Sequence, residues 1–295
     1  MKLDFVCIGA QKAGTTTLHD ILQQHPEIFL PNIKETHFFD KDELYNEGLD
    51  WYYHRFFSNS ENKIKGEITP DYLFFEDALR RIANDLPKEL KIIVVFRNPV
   101  DRAISHYQMS KRRGYESLSL TKALKEENDR ITKGYFEKSN FSYITRGLYA
   151  KQYKILLNFF DKKQILPLIF ETEIKQNLNL TLEKITSFIN VSTFDFDTQI
   201  QSNSSKSSLF PFFSRFIMKP PKFVQVISRF FFKEPLLKYK IKVWLNSFLL
   251  RKNNYKVDSN LKRELFLEYF EKDTKELSLL IDKDLSHWLK KEEGL

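Results

Sequence analysis

The run Leu3–Ile8 passes directly into Gly9-Ala10-Gln11-Lys12-Ala13-Gly14-Thr15-Thr16-Thr17, and a helical pattern follows over Thr15–His25 until Pro26 closes it. Few folds accept that order. The apolar run is too short for a helix and predicts a buried strand. The glycines let the backbone turn tightly and approach a ligand. A helix that starts at once aims its first N–H groups, and the positive end of its dipole, at the turn. Strand, turn and helix N-terminus together make an anion site. Thr15, Thr16 and Thr17 are expected to cap the helix and to donate hydroxyls to an anion's oxygens.

Two further buried-strand patterns follow, KIIVVF (Lys91–Phe96) and QILPLIFET (Gln164–Thr172). Helical patterns lie between and after them: Tyr72–Asp85, Pro99–Arg113, Leu120–Arg130 and Ser142–Phe160. Strands alternating with helices predict an α/β fold, a P-loop-type parallel sheet with helices on both faces. A length of 295 residues with 42% apolar and 29% charged content suits one domain over 1–295. Beyond Asn190, Gln199–Ser208 is polar and predicts a loop. Leu209–Leu250 is dense in Phe, Lys and Arg and is interrupted by prolines. Asp258–Ile281 is an amphipathic helix with Asp258 or Ser259 as N-cap.

The net charge of +8 favours anionic ligands. The single cysteine, Cys7, excludes an internal disulfide framework and fits a reducing compartment. The six histidines show no zinc spacing, so no metal is expected. Met1-Lys2-Leu3-Asp4 leaves no room for a signal peptide, and no run of about 18 apolar residues predicts a membrane span. The expected location is the cytoplasm. The 209–250 stretch either packs over the core or lies on an anionic membrane face. No nucleic-acid partner is expected.

Gly9-x4-Gly14 matches the start of the nucleoside-triphosphate P-loop, but Thr15-Thr16 stand where that motif has Lys-Ser/Thr. The lysine is displaced into the loop, at Lys12. There it is placed beside a bridging oxygen, where it neutralises charge growing on a leaving phosphate oxygen.

With these features the chain resembles the sulfotransferases that use 3′-phosphoadenosine 5′-phosphosulfate (PAPS), and within them the heparan sulfate N- and 3-O-sulfotransferases and their bacterial relatives. IGAQKAGTTTLHDILQQHP resembles the 5′-phosphosulfate loop, NIKETHFFD (Asn32–Asp40) the Lys-Glu-x-x-Phe-Phe segment, GEITPDYL (Gly66–Leu73) the Glu-x-Thr-Pro-x-Tyr segment, and VVFRNPVDRAISHYQM (Val94–Met109) the 3′-phosphate motif. RGLYAKQYKILLNFF and DKDLSHWL share the family's look. One departure is Ile68, where the heparan sulfate enzymes carry a lysine.

The resemblance implies PAPS as donor, 3′-phosphoadenosine 5′-phosphate (PAP) as product, and a carbohydrate hydroxyl or amine as acceptor. A lipid or small-molecule alcohol is the alternative acceptor. A P-loop kinase and a non-catalytic nucleotide-binding protein are the rival classes. Gln11, Lys12, Ala13, Gly14, Thr15, Thr16 and Thr17 would hold the 5′-phosphosulfate. Arg97, at the carboxyl end of a strand, and Ser105, about two turns into the helix that Asn98-Pro99 starts, would hold the 3′-phosphate. Asn203 and Lys206 fall where the family places a loop over the cofactor. Glu35 matches the family's general base, and His37, on the same side of an extended chain, would orient the acceptor or share its proton. Lys34, Glu67, Asp71 and Tyr149 would contact the sulfuryl group or the acceptor.

Overall fold

The computed structural model describes residues 2–58, 60–199, 206–208, 217, 241, 245, 250–252 and 256–289. Asn203 and most of the 209–250 stretch lie outside the described residues; Lys206 is described only as strand backbone.

Five strands form one parallel sheet in the order β2-β3-β1-β4-β5. They are β1 (Phe5–Gly9), β2 (Ile28–Phe29), β3 (Ile64–Ile68), β4 (Lys91–Phe96) and β5 (Ile165–Ile169). Helices flank them. In the first half these are α1 (Thr15–Leu22), α2 (Asp42–Tyr45), α3 (Gly48–Phe57), α4 (Glu76–Asp85) and α5 (Pro99–Arg112). Later come α6 (Leu120–Lys125), α7 (Glu127–Ile131), α8 (Tyr135–Phe141), α9 (Tyr149–Leu157), α10 (Leu178–Ile189), α11 (Ser259–Leu265) and α12 (Glu271–Ile281).

The central strands are unbroken apolar runs because both of their faces are covered. Every residue of β1 is buried, and in β4 only Lys91 is not. Cys7 is fully buried, and burial pushes its thiol up to about 12, which makes it an inert core residue. Gly66 in β3 faces Phe5 in β1 in register, and a Cβ there would sit 2.0 Å from the Phe5 ring.

Several boundaries differ from expectation for local reasons. The third predicted strand stops at Ile169, and Phe170–Gln176 forms a π-helical turn. Glu173 causes the stop: its carboxylate accepts the Ile169 N–H at 2.7 Å and the Lys184 and Lys283 ammoniums at 2.9 and 2.6 Å. The Leu120–Arg130 helix is two helices, α6 and α7. The buried Glu127 turns its carboxylate onto the backbone N–H groups of Ile144 and Thr145. The Ser142–Phe160 helix is a single 3₁₀ turn, Thr145–Gly147, followed by α9. At its start, packing intervenes: a Cβ on Gly147 would meet the Phe270 ring at 2.7 Å.

Spatial proximity divides the chain into two compact units. The first comprises Met1–Arg102, Arg146–Ser202 and Lys262–Leu295 and holds the whole parallel sheet. The second comprises Ala103–Thr145 and Asn203–Leu261. It contains the larger part of α5, helices α6 to α8, and an antiparallel pair, β6 (Lys206–Ser208) with β7 (Leu250–Lys252). Within it Glu116 accepts from Arg130 at 2.7 Å and from the Tyr143 hydroxyl at 2.8 Å. Among the described residues no helix is long and apolar enough to cross a membrane.

Candidate active site

Ligands of open parallel sheets bind beyond the carboxyl ends of the strands. In the first unit four such ends meet. They are the Gly9–Thr15 turn after β1, Thr69–Tyr72 after β3, Arg97 after β4 and Phe170 after β5. Backbone bonds lock the first two together: Thr69 N–H donates to Cys7 C=O at 3.1 Å and Leu73 N–H to Ile8 C=O at 2.8 Å.

In the anion turn, Gly14 is the N-cap of α1, with φ +83°, and no side-chain oxygen caps the helix. The threonine capping expected from sequence is therefore absent, and the first-turn N–H groups face the turn uncapped by any side chain. Thr15 is buried, Thr16 exposed and Thr17 half-buried. A side chain at Gly14 would strike the Phe170 ring at 2.8 Å. Lys12 has φ +72°, and its carbonyl accepts from Arg97 Nη1 at 2.8 Å. The Arg97 guanidinium also stacks over Phe170 at 5.0 Å. Arg97 Nε and Gln11 Oε1 are buried with no hydrogen-bond partner, while Gln11 Nε2 donates to Asp71 at 3.3 Å.

Glu35 and His37 reach the same side by a route other than the expected extended chain. Both are left-handed, with φ +64° and +54°, so Thr36 between them turns inward and is fully buried. Glu35 N–H donates to Ile68 C=O at 3.2 Å. Lys34 Nζ pairs with Glu35 Oε1 at 2.5 Å, and His37 Nε2 lies 3.8 Å from Glu35 Oε2. Ile68, buried at the foot of this segment, offers no charge.

Thr36 donates to Glu67, and here an expectation is corrected. Glu67 is only 1% exposed, so it contacts core hydroxyls and not an acceptor. Tyr52, Thr69 and Tyr72 also donate to it, the last two at 2.7 Å each. Burial raises its carboxyl above the usual range against the pull of those four donors. Glu67 thus ties β3, α3, the 69–72 turn and the Glu35–His37 segment to one point. Thr36 and Tyr72 can hydrogen-bond to each other, so Glu67→Leu would leave three buried hydroxyls short of an acceptor, at about 1–3 kcal/mol per unsatisfied group. A large fall in thermal stability is expected, and a much smaller one for Glu67→Gln, both read by calorimetry.

His37 Nδ1 lies 3.0 Å from Asp40 Oδ2 and 3.8 Å from Asp71 Oδ2. Burial pulls the imidazolium down, but the Asp40 charge and hydrogen bond, with Asp71, outweigh it, and His37 titrates above its ordinary 6.5. Because the folded value is raised, the pairing contributes fully below pH 6.5 and is lost as pH climbs through the folded value. Asp40→Asn is expected to flatten the fall in melting temperature as pH rises above 6.5. Asp40 escaped the sequence reading, although its i,i+3 spacing from His37 is a legible signal. Asp71 pairs with the buried Arg146, whose guanidinium covers Phe74 at 4.4 Å. His37, Asp40 and Asp71 offer ligand-type atoms within 4.8 Å of one another, atoms already turned toward each other or toward Arg146.

Tyr149 requires a second correction. It is 1% exposed and its hydroxyl donates to Arg97 C=O at 3.0 Å, so it packs beneath Arg97 and does not line an acceptor cleft. Burial drives its phenol well up. Ser105 is half-buried on the part of α5 that belongs to the second unit.

The profile of the Sulfotransferase domain family matches residues 2–212. Human heparan sulfate glucosamine 3-O-sulfotransferase 3B1 is 36% identical over 166 residues, 55% of this chain and 39% of that protein. The membrane-associated sulfotransferase kil1 of Dictyostelium discoideum is 37% identical over 110 residues, 36% of this chain and 23% of that protein. These matches span well under half the length of either relative. A crystal structure of a sulfotransferase from Alicyclobacillus acidocaldarius superposes with a TM-score of 0.70 and 27% identity, covering 98% of this chain and 100% of the other. With the strand–turn–helix, Arg97 at the end of β4 and a family match across most of its length, the chain belongs to the sulfotransferase family.

Proposed function

We propose that this chain transfers a sulfuryl group from PAPS to a hydroxyl or amine of a carbohydrate acceptor and releases PAP. One observation carries the reading. Six described non-glycine residues have positive φ: Lys12, Glu35, His37, Asn62, Asn190 and Asp282. Asn, Asp and His are the side chains most often found in that region; Lys and Glu adopt it only at about 1 kcal/mol or more of strain. Lys12 and Glu35, held there against their preference, and His37 two residues from Glu35 are the three catalytic candidates.

The anion turn fits the donor. A helix start without a side-chain cap and a buried Arg97 Nε–H without a partner suit a ligand rich in oxygens. The donor supplies the sulfuryl group and a phosphate leaving group. Gln11 to Thr17 receive its 5′ end, and Arg97 its 3′-phosphate. Glu35 Oε2, facing His37, takes the acceptor proton. The Lys12 ammonium neutralises charge on the departing oxygen. Lys34 holds Glu35 Oε1, the oxygen on the side away from His37.

The test is transfer from radiolabelled PAPS, without added magnesium, to a panel of glycosaminoglycans, neutral glycans, lipid alcohols and small alcohols. Label on a glycan is the expected result. Absence of transfer to every acceptor, with magnesium-dependent nucleotide binding, would overturn it in favour of a P-loop kinase.

A further inference from the structure

The C-terminal segment Asp282–Trp288 lies far along the chain from every candidate named so far, yet it closes a ring onto Arg97. Trp288 is 4% exposed. Its indole N–H donates to Glu171 Oε2 at 2.9 Å. Glu171 Oε1 accepts the Asn98 backbone N–H at 2.9 Å. The Asn98 side-chain amide donates back to Trp288 C=O at 2.9 Å. On its other pole the same Arg97–Asn98 peptide is held by the Tyr149 hydroxyl, and the Tyr149 and Trp288 rings lie 6.3 Å apart. Both ends of one peptide group are thus fixed, one of them by a carboxylate that the C-terminal tryptophan orients. Lys283, on Glu173, fastens the segment to the π-helical turn that also carries Glu171 and Phe170.

We propose that Glu171 and Trp288 are positioning residues for the donor's 3′-phosphate, acting through the Arg97–Asn98 peptide. The proposal rests on the donor reading above. An arginine fork recognises a phosphate by angle as well as by charge. Arg97 is stacked on Phe170 and bonded to Lys12 C=O, so its direction depends on where its own backbone leaves β4. The ring sets that point. Asn98 also caps α5, its Oδ1 accepting Val100 N–H at 3.0 Å, so the ring fixes the helix start as well.

The test compares binding of PAP and of adenosine 5′-phosphate, which lacks the 3′-phosphate, by calorimetry on the full chain. Trp288→Phe keeps the ring and removes the donor; Glu171→Gln keeps the shape and removes one acceptor. Each is expected to weaken PAP about tenfold, the scale of one hydrogen bond to a charged group. Adenosine 5′-phosphate should stay within about twofold, and Glu171→Gln should have no further effect on PAP in an Arg97→Ala background. Equal weakening of both nucleotides would mark a merely structural ring and overturn the proposal, as would unchanged PAP binding in both variants. A wild-type protein that binds PAP no better than adenosine 5′-phosphate would instead refute the donor reading beneath it.

Discussion

Glu35→Gln is expected to lower kcat for sulfuryl transfer by about 10²–10⁴, the range over which general-base catalysis contributes. The substitution is nearly isosteric and leaves the backbone bond from Glu35 N–H to Ile68 C=O in place, so the left-handed segment should survive. What changes is that an amide cannot accept the acceptor's proton. PAP affinity should hold within about twofold, because Glu35 is separate from the anion turn in the proposed division of labour. Initial rates and calorimetry on the same preparation read both quantities. A kcat within about threefold of wild type would remove Glu35 from the base role. His37 is then the natural successor, at 3.8 Å from Glu35 and held by Asp40.

How far this site was legible depends on what each residue answers to. β1 and β4 were legible because a strand buried on both faces must be apolar throughout. β3 was not, since IKGEI interrupts its apolar pattern twice for tertiary reasons. Gly66 is there to clear the Phe5 ring, and Glu67 to gather hydroxyls from four other positions. Phe5, Thr36 and Tyr52 are far from them in sequence, so local patterning carries no trace of those contacts, and only Thr69 and Tyr72 are near. The same holds for Glu67 and Tyr149 as acceptor contacts: the motif placed them near the site, and burial put them behind it. Glu35 and His37 came out on one face, but through two left-handed residues rather than a strand. Arg97 was legible because a charge that ends a buried strand in this fold class points at the ligand side.

Lys12→Ala is expected to cost about 2.7–4 kcal/mol of transition-state stabilisation, a kcat loss of about 10²–10³, by comparison with removal of one oxyanion donor. Lys12 has two separate contacts to give. Its carbonyl receives Arg97 Nη1 at 2.8 Å, and that bond belongs to the backbone and persists in the alanine variant. Its ammonium is the group proposed to meet charge that develops only as the phosphate departs. Removing the ammonium should therefore spare ground-state binding of the donor: PAPS affinity is expected within about threefold of wild type, while PAP, whose 5′-phosphate carries the full charge of the departed oxygen, should bind more weakly. Arg97→Ala should behave in the opposite sense. It removes a guanidinium that meets a phosphate already fully charged before reaction, so affinity falls and kcat at saturating donor changes little. The crossed pair separates the two anionic ends of the donor more sharply than either variant alone. If Lys12→Ala lost donor affinity and kcat in parallel, the lysine would be a ground-state anchor. The displaced position of that lysine within Gly9–Gly14 would then no longer distinguish sulfuryl transfer from simple nucleotide binding.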